Sequence, residues 1–195
     1  MNKEIVLATR NKGKIRECKE VLEPLGYAVY AVSDMIMCEE PVEDGKTFEE
    51  NALIKARYYM EKCHKPCLAD DSGLEVDILD GAPGIYSARY AGGHGDDEAN
   101  NQKLIAEVKE FPLKQRTARY VCALALVMPD GKTILVKDCC AGLIQDTYAG
   151  DGGFGYDPLF YVPEFKKTMA ELSLAEKNQI SHRGKAIRRL AELLK

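Results

Sequence analysis

Apolar residues in this chain come in short runs separated by stretches of helical period. Ile5-Val6-Leu7-Ala8 has the pattern of a buried strand. Ile15, Cys18, Val21, Leu22 and Leu25 then recur at helical spacing, and Gly26 marks the end of that helix. Tyr27 to Val32 predicts a second strand, so the chain opens as strand, helix, strand, the beginning of an α/β sheet. Thr47-Phe48-Glu49-Glu50 has the form of a capping box, Thr47 accepting from a first-turn amide and Glu50 reaching back; the helix it starts runs to about Lys62. Cys67 to Ala69 predicts a short strand that Asp70-Asp71-Ser72-Gly73 ends. Asp97 to Glu110 fits a third helix. Ala118 to Met128 and Thr133 to Ile144 are β-rich and joined by the hairpin turn Pro129-Asp130-Gly131. Ser173 to about Ile180 and Ser181 to Leu194 read as two closing helices. With no linker and no repeat, the pattern predicts one α/β domain over residues 1–195: a mixed β-sheet with flanking helices, in two lobes around a central cleft.

Composition narrows the function. The chain is 46% hydrophobic and 30% charged, which suits a domain with a real core and a soluble surface. A net charge of −4 argues against broad nucleic-acid binding, which needs a basic face. There is no apolar run long enough to span a membrane, and the opening Met1-Asn2-Lys3-Glu4-Ile5 lacks the features of a signal peptide. The expectation is a cytoplasmic protein with no membrane partner. Seven cysteines at irregular spacing then read as reduced thiols. Cys63 and Cys67 lack the second ligand pair that zinc would need.

Five stretches could carry chemistry. Thr9-Arg10-Asn11-Lys12-Gly13-Lys14 follows the first strand and opens a helix, where backbone amides and Lys14 favour an anion; alternatively it is a polar turn. It is not a P-loop, because Ile15 stands where a magnesium-binding Ser or Thr belongs. Asp70-Asp71 places two carboxylates side by side, a cost that a divalent cation removes, unless the pair is only an acidic turn. Glu43 could add another carboxylate, and Lys55 is either a solvated charge or a phosphate contact. Gly152-Gly153-Phe154-Gly155-Tyr156-Asp157-Pro158 fits a loop whose backbone approaches a flat ligand, with Phe154 as a stacking face or as a core plug. The loop begins at Gly150, and the G-x-G-x-x-G spacing of Gly150, Gly152 and Gly155 is not a dinucleotide fingerprint, since Pro158 disfavours the helix that must follow. Ser181-His182-Arg183 puts donors at a helix start.

Taken together, the stretches at 7–14, 47–56, 69–74, 81–89, 152–158 and 181–184 closely resemble the inosine triphosphate pyrophosphatase family, the XTP/dITP diphosphatases. Arg10 departs from the commonest pattern, where glycine is often found. The resemblance implies an elongated mixed sheet, a homodimer, and hydrolysis of noncanonical purine nucleoside triphosphates (ITP, dITP, XTP) to the monophosphate and pyrophosphate. It implies that Thr9, Arg10, Asn11, Lys12, Gly13 and Lys14 hold the triphosphate, with Lys55 beside them, and that Ser72 touches the substrate. It makes Asp71 the proton acceptor and, with Glu43, a ligand of Mg2+. It assigns nucleotide recognition to Phe154, Gly155, Tyr156, Asp157, Lys177, His182 and Arg183, with Arg183 facing the 6-oxo edge that adenine lacks. A pyrophosphatase for modified pyrimidine nucleotides and a non-catalytic nucleotide sensor are the competing readings.

Overall fold

A computed structural model describes residues 3–93 and 95–195. Among these, seven strands form one sheet in the order β2-β1-β3-β4-β5-β6-β7. The strands are β1 (Lys3–Leu7), β2 (Tyr27–Ala31), β3 (Cys67–Val76), β4 (Thr117–Val127), β5 (Thr133–Ile144), β6 (Phe160–Val162) and β7 (Lys167–Thr168). The helices are α1 (Lys12–Leu22), α2 (Val32–Met35), α3 (Phe48–Cys63), α4 (Asp97–Val108), α5 (Leu174–Ile180) and α6 (His182–Leu193). β1 runs parallel to β2, pairing Ile5 with Val29, and parallel to β3, pairing Leu7 with Leu68. β6 is antiparallel to both β5 and β7, so the sheet is mixed, as the alternation of elements predicts.

Local chemistry explains most boundaries. Asn11 caps α1, its side-chain oxygen accepting from the amides of Gly13 (2.9 Å) and Lys14 (3.2 Å). α1 stops at Leu22 and tightens into a 3-10 turn over Glu23–Leu25, because Pro24 has no N–H to continue the ladder; Gly26, at φ 83°, closes it. Thr47 caps α3 as expected, accepting from Glu50 N at 3.1 Å. The return bond lands one residue earlier than a capping box would place it: Glu50 Oε2 accepts from Lys46 N. β3 overturns one expectation. Asp70-Asp71-Ser72-Gly73 does not end the strand, which continues to Val76.

The chain divides into two compact units, each with its own core. The first comprises the chain up to Asp71, then 122–138 and 183–195. Its core joins Ile5, Leu7, Leu22, Leu68, Leu124 and Ile187. The second comprises 72–121 and 139–182, with Leu74, Leu104, Tyr120, Tyr156, Phe160 and Met169 packed together. The chain changes unit between Asp71 and Ser72 and again between His182 and Arg183. No helix among the described residues is long and apolar enough to cross a membrane.

Candidate active site

Successive side chains of a strand point to opposite faces, and β3 uses this to separate its two aspartates. Asp70 is buried and bound to cations: Arg183 Nε donates to its Oδ2 at 2.8 Å, and Lys14 Nζ donates to its Oδ1. Burial alone would raise this carboxyl, but Lys14 and Arg183 hold it well below the usual carboxylate range. Arg183 is itself buried, and its second donor goes to Glu17 Oε2 at 2.9 Å. The same two pairs satisfy two buried carboxylates and a guanidinium at once, so Arg183 has a role inside the first unit that competes with the expected one at a purine edge.

Asp71 has a different environment. Burial pushes its carboxyl up to about 6, helped by repulsion from Glu43 and Asp70 and opposed by Lys55 and a hydrogen bond from Asn51. Its Oδ2 is buried without a hydrogen-bond partner. Lys55 Nζ lies 3.0 Å from Glu43 Oε1 and donates to the Asp70 carbonyl at 3.2 Å. Burial lowers the pKa of Lys55, yet these neighbours outweigh it and raise the ammonium above its ordinary value. Lys55 and Asn51 stand one turn apart on α3, at the i,i+4 spacing that shares a face. Asn51, 2% exposed, is the residue that the sequence reading missed, and this spacing from Lys55 was its signal. A hard divalent cation needs only one or two carboxylates plus water and phosphate oxygens. Asp71 with its unpaired oxygen, beside Glu43, fits that donor set, although no group of three His, Cys, Asp or Glu among the described residues could hold a metal alone.

The loop before α1 is partly committed to itself. Thr9 Oγ1 accepts from Asn11 N, and the Asn11 cap occupies the Gly13 and Lys14 amides. Arg10 turns away, donating to the Cys38 carbonyl at 2.9 Å, with Glu40 at 3.6 Å. Lys12 is exposed and Lys14 half-buried. All seven cysteines are thiols; Cys63 and Cys67 place their sulfurs 3.3 Å apart.

In the second unit the glycine loop packs so tightly that side chains would not fit. A Cβ on Gly153, at φ +77°, would lie 2.0 Å from Asp157 Oδ2, and one on Gly152 would lie 2.7 Å from the Ala170 carbonyl oxygen. Asp157 is buried and ties the loop together, accepting from Lys177 Nζ at 2.6 Å and from Phe154 N at 3.0 Å. Tyr120 also hydrogen-bonds Asp157, and its ring stacks on His182 with centroids 4.9 Å apart. Phe154 is 47% exposed, with Lys177 Nζ 5.1 Å from its ring centre, so it is not a core plug. Tyr156 is the exception within this stretch. It belongs to the core and donates to the Ser87 carbonyl at 2.7 Å, because its ring completes the apolar cluster beneath the loop. Asp97 and Asn101, not singled out by the sequence, hold Gly155 by its N–H (2.8 Å) and its carbonyl (3.0 Å). Ser72 is half-buried at the start of this unit.

Fold and site thus define an α/β protein with an underneutralised carboxylate pair on one unit and a tightly built aromatic loop on the other. Comparison with known proteins makes this specific. The chain belongs to the Ham1 family, whose model matches residues 5–193. It is 50% identical over 191 residues to a dITP/XTP pyrophosphatase of Desulforamulus reducens, covering 98% of this chain and 95% of that protein. It is 49% identical to the dITP/XTP pyrophosphatase of Bacillus subtilis over 192 residues, or 98% and 97% of the two chains. The solved Ham1 protein of Staphylococcus aureus superposes with a TM-score of 0.90 at 46% identity, covering 98% of each chain.

Proposed function

We propose that this protein hydrolyses noncanonical purine nucleoside triphosphates (dITP, XTP and ITP) to the monophosphate and pyrophosphate, with Mg2+ as cofactor. The observation that carries the proposal is Asp71: a carboxyl with a pKa of about 6 and an unpaired buried oxygen, facing Glu43 and Lys55, in a chain half identical to dITP/XTP pyrophosphatases. A general base is most effective when its pKa lies near the working pH. Asp71 takes a proton from water as the oxygen attacks the α-phosphorus; the bond to the bridging oxygen breaks and pyrophosphate leaves. Lys55 places positive charge along the phosphates, and the ring of Phe154 stacks on the base. Asp71 and Glu43 would hold magnesium, which would supply neutralisation of phosphate charge. The protein acts in the cytoplasm as a homodimer on this reading.

The test is pyrophosphate release from dITP, XTP, ITP, ATP, GTP and modified pyrimidine triphosphates, with and without magnesium. Preferred release from the first three, lost in chelator, is expected. Equal use of ATP, or full activity in chelator, overturns the proposal.

A further inference from the structure

Glu43 and Asp71 come from different segments, a loop before α3 and a strand after it. Something must fix their spacing; Lys55 bridges the two segments through Glu43 and the Asp70 carbonyl, and a second side chain reaches both. The Oδ1 atom of Asn51 accepts from Gly45 N at 2.9 Å. That N–H can only donate, so the orientation of the amide is set: its oxygen faces the loop and its NH2 group the other way. On that other side the NH2 donates to the Asp71 carboxyl. An ionised carboxylate only accepts, so donor and acceptor match at both ends of one planar group.

The approach to Asn51 is close. A Cβ on Gly45 would lie 2.6 Å from Asn51 Oδ1, 2.8 Å from Glu50 Cβ and 3.0 Å from Asn51 N. Gly45 is therefore required here by space. A second bond, Lys46 N to Glu50 Oε2 at 2.6 Å, presses the same loop onto the first turn of α3. Neither Ala nor Leu at position 51 could make either bond, and Asp would set a second carboxylate against Asp71.

We infer that Asn51, seated against Gly45, is a positioning residue that sets the spacing of Glu43 and Asp71 for the divalent cation. The inference rests on the metal reading given above. Groups that orient metal ligands typically change metal affinity about 10–100-fold when removed, and that sets the scale of the test.

The experiment titrates Mn2+ into nucleotide-free wild-type, Asn51→Ala, Gly45→Ala and double-variant protein by calorimetry. Circular dichroism establishes folding, and the magnesium concentration for half-maximal activity is measured alongside. Expected is a loss of Mn2+ affinity of about tenfold or more in each single variant. The magnesium requirement should rise in parallel, and excess metal should restore much of kcat. The double variant should be little worse than Asn51→Ala, because both changes break one joint. Wild-type Mn2+ affinity in folded variants would overturn the role of Asn51 while leaving the metal reading intact. So would additive losses. Wild-type protein that neither binds Mn2+ nor needs magnesium would overturn both. Should Asn51→Ala not fold, Gly45→Ala, which keeps both side chains of the joint, decides alone.

Discussion

Asp70 and Asp71 are the same residue in adjacent positions with opposite electrostatics, and the cause is the two-residue period of a strand. Asp71 is held above the ordinary 3.8, at about 6, so its ionisation costs the folded state stability. That cost is absent at low pH, grows between about 4 and 6, and is complete above. Asp71→Asn should therefore raise the melting temperature at pH 7.5 and leave it unchanged near pH 4, as thermal melts at the two pH values would show. The same variant should lose about 10²–10⁴-fold in turnover, and the kcat/KM of the wild type should fall as acid protonates Asp71. A stabilised variant with normal turnover would remove Asp71 from the chemistry. Asp70 is the reverse case. Its lowered pKa contributes stability above the unfolded value, lost only as pH falls through its folded one. Asp70→Asn leaves Lys14 without its counter-charge and Arg183 with Glu17 alone, and should cost about 3–5 kcal/mol, read by denaturant unfolding. The sequence displayed both aspartates as chemistry but suggested a turn. Asp is a poor strand former, and the cations that stabilise Asp70 lie 56 and 113 residues away, beyond the reach of any local pattern.

At the scale of elements, signals written in neighbouring residues were legible and those requiring a third partner were not. The cap of α3 and the 3-10 ending after α1 follow from Thr47, Pro24 and Gly26. The glycine loop was legible as a close approach, yet its anchor, Asp157, was grouped with ligand contacts rather than with Lys177 and Tyr120. Two substitutions separate stacking from loop shape. Phe154→Ala should weaken dITP, XTP and ATP alike, by about 1–3 kcal/mol, since stacking reads every base face. Gly153→Ala would drive a methyl into the Asp157 carboxylate and strain a positive φ, so KM should rise for every nucleotide while the circular dichroism spectrum holds. Unchanged KM in a folded Gly153→Ala protein would show that the loop has no part in binding.

For the molecule as a whole, the α/β class, the mixed sheet and the presence of two lobes were legible from the order of elements, whereas the segments that make up each core were not, since each core is assembled from distant stretches of chain. Arg183 tests how base choice is distributed. If its main role is to hold Asp70 and Glu17, Arg183→Ala should lower stability and reduce kcat/KM for ITP and ATP in equal proportion. A narrowed ratio between the two would instead return it to the purine edge. The proposed assembly is checked by sedimentation, with the mass of two 21.7 kDa chains expected and that of one chain excluding it.

The backbone of β3 acts as a septum between two charge compartments. Behind it, Lys14 and Arg183 cancel Asp70 and Glu17. In front of it, a single lysine faces two carboxylates, and the sum of Lys55, Glu43 and Asp71 is one negative charge left over once Asp71 ionises. A bare polyphosphate approaching that front compartment meets its own sign, whereas one that arrives with a divalent counterion brings the missing charge with it. Nucleotide added in excess of metal should then leave the rate set by the complexed form alone, because the free form is turned away and competes poorly.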